Sequence, residues 1–206
     1  MTKVLLITSS PRGEASLSKK VADELVSQIV GAEVTTRDLM RAPLPHIGPS
    51  FIGAMFTPED ARTTEQRREL ALSDELIAEL KAADVVIIAA GMINFGIPST
   101  LKAWIDHVTR SGITFAYGAN GPKGLVEGKK VVLVLATGGI YSSGPMVAHN
   151  HVEPHLRTSL GFIGLTDIET VVIEGGIRGP ESVEKALTDA RVTVASVAPG
   201  LSAVAA

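Results

Sequence analysis

The fold of this chain is decided by residues 85–106, which read Val-Val-Ile-Ile-Ala-Ala-Gly-Met-Ile-Asn-Phe-Gly-Ile-Pro-Ser-Thr-Leu-Lys-Ala-Trp-Ile-Asp. The uninterrupted apolar run Val85–Ala90 predicts a strand that is buried on both faces. Pro98 is suited to the first turn of the amphipathic helix that follows. The loop Gly91–Gly96 lies between them, at the place where open α/β sheets bind ligands. Because the loop carries Met, Ile and Phe beside a lone Asn, we expect a flat apolar ligand or a partner chain to cover it.

The same alternation of strand and helix continues along the chain. Strand patterns occupy Lys3–Thr8, Ala32–Asp38, Val85–Ala90, Lys130–Ala136 and Asp167–Glu174. Helix patterns occupy Ser16–Ile29, Thr63–Ala83, the segment after Pro98, the segment from Pro154 to about Gly161, and Pro180–Val197. Arg41–Pro58 is irregular, and a short strand is expected around Ile113–Tyr117. Five alternations with apolar central strands predict an α/β fold with a parallel sheet covered on both faces, and the strand order 2-1-3-4-5 is one of the few topologies allowed.

Composition limits the classes of function. The 206 residues are 45% hydrophobic, enough for one large α/β domain spanning residues 1–206. The net charge of −3 argues against nucleic acid as a partner. There are no cysteines, so disulfides, thiolate metal sites and a cysteine nucleophile are excluded, and a cytoplasmic location fits. Neither a signal peptide nor a membrane span is expected, since no apolar run approaches about 18 residues.

Three loops should meet at the carboxyl edge of such a sheet. Ser9–Ser18 is rich in hydroxyl groups and enters a helix N-terminus, which favours an anion, although Ser16 or Ser18 could simply cap the helix. Gly91–Gly96 favours a ligand, although it could be a tight strand–helix connection whose Phe95 and Met92 are core residues. Thr137–Gly144 contains paired glycines that allow close backbone approach, although it could be a plain turn.

The motifs that are absent narrow the choice of ligand. The chain has neither G-x-G-x-x-G nor G-x-x-x-x-G-K-[ST], so a dinucleotide pyrophosphate on a Rossmann turn and a nucleoside triphosphate on a P-loop are disfavoured. A G-x-S-x-G elbow is also absent, which disfavours a serine hydrolase. A phosphate monoester beside two loops that could hold a planar ring is the layout of an FMN site.

The chain resembles the bacterial FMN-dependent NADH-azoreductase and quinone reductase family, whose members are flavodoxin-like homodimers. The resemblance covers nearly the whole chain and rests on Lys3-Val4-Leu5, Ser9-Ser10, Ser16-x-Ser18, Arg37-Asp38-Leu39, Ala71–Ile77, Met92-x-Asn94-Phe95, Leu101-Lys102, Thr114-Phe115-x-Tyr117, Gly121-Pro122-x-Gly124-Leu125, Gly138-Gly139 and Leu160–Gly164 with Asp167. It implies a three-layer α/β/α domain of the flavodoxin-like type.

The resemblance also implies the roles of individual residues. Residues that would bind the FMN phosphate are Ser10, Ser16, Leu17 and Ser18. Residues that would wrap the isoalloxazine ring are Met92, Ile93, Asn94 and Phe95. Residues that would flank its pyrimidine side with backbone N–H groups are Ala136, Thr137, Gly138 and Gly139. Tyr117 and Phe162 would shape a substrate pocket at the interface of a homodimer.

Several positions depart from the family pattern. Ile93 replaces the usual Tyr of Met-x-Asn-Phe, Ala136 replaces a small hydroxyl residue, and Tyr141 stands where the family often has His. The segment Tyr141–His155 is longer than in other members. We therefore expect differences in the contacts of the ring edge and in substrate range.

The implied chemistry is carried by the flavin N5 atom, and no side chain is assigned as a catalyst. NADH or NADPH would reduce the flavin and leave, after which a quinone or azo compound would occupy the same slot, in a ping-pong mechanism. The alternatives are a flavodoxin-type electron carrier and a non-catalytic FMN-binding protein. The run His149-x-His151-x-Glu153-x-His155 raises zinc as a further alternative, but its spacing matches no defined metal motif, so no metal is expected.

Overall fold

A computed structural model of the chain describes residues 1–203. The strands are β1 Lys3–Thr8, β2 Glu33–Asp38, β3 Val85–Gly91, β4 Phe115–Gly118, β5 Gly121–Gly124, β6 Lys130–Ala136 and β7 Asp167–Ile173. The helices are α1 Leu17–Ser27, α2 Pro49–Phe56, α3 Thr64–Ala82, α4 Ser99–Val108, α5 Glu153–Phe162 and α6 Pro180–Ser202. Short 3₁₀ segments occupy Gly13–Ala15, Glu59–Ala61 and Gly144–His149.

Five of the strands form one parallel sheet in the order β2-β1-β3-β6-β7. Counting only these strands, the order is 2-1-3-4-5, so the predicted flavodoxin-like topology is confirmed. The expected strand limits hold to within one residue. The pattern in residues 32–38 placed the second strand towards an edge, and β2 is an edge strand.

The sheet has a hydrophobic layer on each face because its central strands alternate between them. Leu5, Val86 and Leu133 pack into the layer that contains α3, α4 and α5. Val4 and Val85 point to the other layer, which is formed with α1 and α6. Neighbouring residues of a strand therefore serve opposite cores, which is why these strands show no polar alternation.

The helices begin where local signals predict. Thr63 caps α3 in a capping box, with its hydroxyl accepting from Gln66 N and the Gln66 side chain accepting from Thr63 N. Pro98 is the N-cap of α4. Arg37 on edge strand β2 is paired with Glu75 and Glu79 on α3, and these pairs, with the Glu79 hydrogen bond as the largest cause, raise the pKa of the guanidinium. No helix within residues 1–203 has the length and apolar character that spanning a membrane requires.

The structure differs from the elements predicted from the sequence in three places. The irregular segment Arg41–Pro58 contains helix α2, which starts with Pro49 in its first turn and buries Phe51 against α3. The single short strand expected around Ile113–Tyr117 is instead an antiparallel hairpin of β4 and β5. The last helix continues beyond the expected end at Val197 and through Pro199 to Ser202, because Leu201 is buried against the core.

The hairpin is held against the end of α5 by a contact between glycine backbones. A Cβ added at Gly124 would lie 2.2 Å from Gly164 N, and one added at Gly164, whose φ is +107°, would lie 2.9 Å from Val126 O. Neither position has space for a side chain. The same contact includes a hydrogen bond from Val126 N to Ile163 O of 2.9 Å.

We predict that Gly124→Ala destabilises the protein by about 3 kcal/mol, because the added methyl group meets backbone that cannot move aside. Gly118→Ala is the matched control in the same hairpin, since its Cβ would be 3.8 Å from the nearest atom. The control should change stability by no more than about 0.5 kcal/mol. Urea unfolding of both variants measures this, and equal stabilities would contradict the packing argument.

Candidate functional site

A cleft opens at the carboxyl edge of the sheet, where the loops after β1, β3, β6 and β7 meet. The loops lie side by side because the strands pair in register, with Thr8 opposite Ala89, Gly91 opposite Ala136, and Ala136 opposite Ile173. The cleft has a volume of about 210 Å³. Its lining residues are Ser10, Pro11, Arg12, Ser16, Leu17, Ser18, Gly91, Met92, Ile93, Ala136, Thr137, Gly138, Gly176 and Ile177.

The first loop brings hydroxyl groups and a helix N-terminus to one end of the cleft. Ser16 caps α1 by accepting from Lys19 N at 3.2 Å, so the capping alternative is correct for Ser16. Its hydroxyl also lies 3.1 Å from that of Ser18, and both side chains are buried. Among the described residues the Leu17 and Ser18 N–H groups have no acceptor, as expected in a first helical turn. Arg12 adds a positive charge, so this end of the cleft suits an anion.

The second loop is a tight turn with backbone strain. Ile93 and Gly96 exchange two backbone hydrogen bonds, of 2.9 and 3.0 Å. The two central residues, Asn94 and Phe95, have φ values of 47° and 71°. Asn tolerates this left-handed region, whereas Phe is rarely found there. Phe95 is 44% exposed, so the alternative in which it is a core residue is wrong, whereas Met92 is partly buried against the core.

The third loop is joined to the fourth loop by its carbonyl groups. The carbonyls of Thr137, Gly138 and Gly139 accept from the N–H groups of residues 176, 177 and 175, at 3.0 to 3.2 Å. The Gly138 and Gly139 N–H groups have no acceptor within residues 1–203. Since the carbonyls are already used, this loop offers donors and not acceptors to a ligand.

Most of the residues expected to bind a cofactor line this one cleft. They are Ser10, Ser16, Leu17, Ser18, Met92, Ile93, Ala136, Thr137 and Gly138. Asn94, Phe95 and Gly139 belong to the same loops but are not part of the lining. The sequence analysis missed Pro11, Arg12 and Gly91, which lie beside the expected residues. It also missed Gly176 and Ile177, which the Gly-rich turn after the fifth sheet strand could have indicated.

Glu174 is another residue that the sequence analysis missed. Its carboxylate follows β7 and accepts from Tyr141 N at 2.6 Å, from Ser142 N at 2.9 Å and from the Ser142 hydroxyl at 2.5 Å. The carboxylate therefore fixes the far end of the third loop. The Tyr141 ring in turn lies 6.4 Å from the Phe95 ring of the second loop, in an edge-to-face arrangement.

Tyr117 and Phe162 lie outside the lining of the cleft. The two residues flank Phe115, whose ring is 5.6 Å from that of Tyr117 and 4.6 Å from that of Phe162. Tyr117 is 74% exposed on the hairpin. Phe115 is buried and Phe162 is partly buried, so Tyr117 is the exposed end of an aromatic cluster that is separate from the cleft.

The side chains of the histidine-rich segment 149–155 do not converge on a common position. Among residues 1–203, no three His, Asp or Glu side chains are placed to share a metal ion. The His149 ring packs 5.7 Å from Phe95, and His151 N donates to Phe95 O at 3.1 Å. Glu153 accepts from Arg157 and Thr170. The segment thus supports the turn at Phe95 from outside.

Comparison with known proteins adds a family and several close relatives. A family model described as the flavodoxin-like fold matches residues 2–197. The chain is 50% identical over 201 residues to FMN-dependent NADH:quinone oxidoreductase 1 of Rhizobium etli, covering 96% of this chain and 98% of that protein. It is 49% identical over 207 residues to the FMN-dependent NADH:quinone oxidoreductase of Mesorhizobium japonicum, covering 98% and 99%. The crystal structure of an azoreductase from Bacillus anthracis superposes with a TM-score of 0.88 at 32% identity, covering 96% and 99%.

The strain at Phe95 generates a prediction about stability. Both Phe95→Ala and Phe95→Gly remove the ring, but only Gly relieves the positive φ, so the Gly variant should be the more stable by about 0.5–1 kcal/mol. The same pair of substitutions at Ile93, which has an ordinary negative φ, should give the opposite order. Thermal unfolding of the four variants tests this, and the same order at both positions would refute the strain.

Proposed function

The chain belongs to the flavodoxin-like fold family, and on that premise we propose that its carboxyl-edge cleft binds FMN in an NAD(P)H oxidoreductase. The acceptors would be quinones, reduced by two electrons, and azo compounds, cleaved reductively. The observation that carries the proposal is the distribution of donors in the cleft: hydroxyl and N–H groups at one end, an apolar middle, and free glycine N–H groups on the third loop. The names of the relatives support the cofactor, the donor and the quinone acceptor.

The residues at the first loop fit a phosphate monoester. Ser10, Ser16 and Ser18 supply hydroxyl groups, and the start of α1 supplies the free N–H groups of Leu17 and Ser18. Arg12 balances the charge of the anion. The loop is rich in hydroxyl groups and lacks the glycine pattern of a pyrophosphate-binding turn, which favours FMN over a dinucleotide.

The remaining residues fit a flat conjugated ring. Met92 and Ile93 line the cleft with apolar side chains, which would exclude water from one face of the ring. The glycine N–H groups of the third loop would donate to the oxygen and nitrogen atoms of the ring edge. When bound, FMN supplies the two-electron chemistry between donor and acceptor. N–H groups that face the pyrimidine edge of the ring would stabilise negative charge there. The N–H groups of Gly138 and Gly139 would therefore make the cofactor a better electron acceptor.

A shared binding slot accounts for the proposed ping-pong order. Ile93 is 43% exposed, so the cleft is open on the side away from the sheet and leaves one apolar surface for a planar substrate. Because donor and acceptor would use the same surface, one must leave before the other enters.

The proposal includes a homodimer with the active site at its interface. Tyr117 and Phe162 lie outside the cleft of their own chain, so a second copy would have to bring their cluster to it. Tyr117 is exposed enough to do so. NADPH could replace NADH as donor, and a cytoplasmic location would supply either one.

The visible spectrum of purified protein tests the proposal. We expect FMN uptake, bleaching by NADH without oxygen, return of colour with a quinone or an azo dye, and parallel double-reciprocal plots. Ser18→Ala should weaken FMN binding about tenfold, because a buried hydroxyl at the phosphate is lost. Ser27→Ala at the other end of α1 is the control. Failure to take up FMN would refute the proposal, intersecting plots would refute the ping-pong order, and reduction without turnover would indicate an electron carrier.

Glu174 gives a second prediction for the same cleft. Glu174→Ala should weaken FMN binding about tenfold, since hydrogen bonds to a carboxylate contribute about 1.5–3 kcal/mol each and the loop depends on three of them. Glu174→Gln should restore most of the affinity, because its carbonyl can accept both N–H groups and its amide can donate to the Ser142 hydroxyl.

Flavin fluorescence quenching measures the affinity of both Glu174 variants for FMN. Glu169→Ala, at an exposed position on the same strand, is the control. Equal affinities for the Ala and Gln variants would show that Glu174 does not organise the loop through these bonds.

A further inference from the structure

A second cavity lies on the other side of Ile93 from the carboxyl-edge cleft. It has a volume of about 520 Å³ and brings together His46, Ser99, Lys102, His151 and His155. These residues come from the segment before α2, from the first turn of α4 and from the start of α5. Ile93 lines both cavities, so the two spaces adjoin at the second loop.

The polar side chains that line this cavity can all donate a hydrogen bond, and Lys102 among them carries a positive charge. Among the residues that the structure describes, no carboxylate lines it. The Lys102 ammonium donates to Asp106 at 2.5 Å, which leaves two of its three N–H groups for another acceptor. Each imidazole can donate an N–H group whether or not it is protonated.

One further observation favours an acceptor in this space. The Ser99 and Thr100 N–H groups at the start of α4 donate to no acceptor within residues 1–203, and a helix N-terminus favours negative charge. A lysine and three imidazoles around such a terminus, with no carboxylate among the described lining residues, suit an anion.

We propose that this cavity binds the pyrophosphate of the nicotinamide dinucleotide donor. The inference rests on the proposed function, because the nicotinamide ring must lie on the flavin beside Ile93 while the rest of the dinucleotide extends away from it. The cavity beyond Ile93 receives that extension. The donor set is a bonded Lys with two spare N–H groups, three His side chains and a helix N-terminus, which suits a diphosphate that carries two charges.

The chain offers a matched pair of variants. Lys102 and Lys185 are both exposed lysines that donate at 2.5 Å to an Asp one helical turn later, at Asp106 and Asp189. Lys102→Met and Lys185→Met each remove one positive charge and one ion pair of the same type, but only Lys102→Met changes the cavity. The double variant His46→Gln with His151→Gln changes the cavity without leaving a carboxylate unpaired.

Kinetics with two donors measure the effect. The KM for NADH should rise about three- to tenfold in Lys102→Met and in the double His variant, and stay unchanged in Lys185→Met. The KM for an uncharged N-benzyl dihydronicotinamide, which has no phosphate, should be the same in all four proteins. The inference would be overturned if the KM for NADH did not change in Lys102→Met, or if the KM values for both electron donors changed by the same factor. It would also be overturned if the variants changed only the KM for a negatively charged, sulfonated electron acceptor.

Calorimetric titration of FMN-saturated protein with ADP-ribose gives a readout that needs no turnover. ADP-ribose carries the pyrophosphate without the nicotinamide, and saturation with FMN keeps it from the phosphate loop. Its affinity should fall by the same factor in Lys102→Met and not in Lys185→Met. A protein that takes up no FMN would refute the proposed function alone, since the difference in ADP-ribose affinity between Lys102→Met and Lys185→Met would still report on this cavity. Equal affinities of wild type and Lys102→Met would refute the inference alone.

Discussion

Parallel pairing of β3 with β1 and β6 is the constraint on which the rest of the structure depends. In this register Ala89 lies opposite Thr8 and Gly91 opposite Ala136, so adjacent strands end level and release their loops at one edge. Parallel pairing also requires crossover helices, and these cover both faces of the sheet. Each fully buried Val, Leu or Ile contributes about 1.5–3 kcal/mol, and strands that serve two cores make that contribution on both faces.

The cleft results from how the loops satisfy their own hydrogen bonds. The third loop directs its carbonyls to the fourth loop, so the N–H groups of Gly138 and Gly139 remain available. The second loop accepts backbone strain at Phe95, and residues of the 149–155 segment hold it from outside. The partly exposed carboxylate of Glu174 accepts hydrogen bonds that fix the end of the third loop. The walls of the cleft are therefore held by hydrogen bonds and ring contacts within and between the loops.

Local patterns in the sequence were sufficient for the sheet and for most helix limits. They failed where long-range contacts override weak local signals. Helix α2 was missed because its irregular, Pro- and Gly-containing sequence becomes helical through the burial of Phe51 against α3. Strand β5 was missed because Gly121-Pro-Lys-Gly has no apolar alternation, and its pairing depends on the approach of Gly124 to Gly164. Helix α6 passes Pro199 because packing of Leu201 outweighs one lost backbone hydrogen bond.

The sequence by itself determined the fold class and the three loops of the cleft, because both depend on periodicity and on residues close together in the chain. The strand order was one of the few topologies that the pattern allowed, and sheet pairing in the structure fixed it. Only the tertiary structure decided what joins those loops. Gly176 and Ile177 reach the cleft, and Glu174 reaches the third loop, through sheet pairing. The cavity of Lys102 and the histidines joins segments more than 45 residues apart. No local pattern encodes such neighbours, since they are set by which strands pair and by how closely the backbones pack.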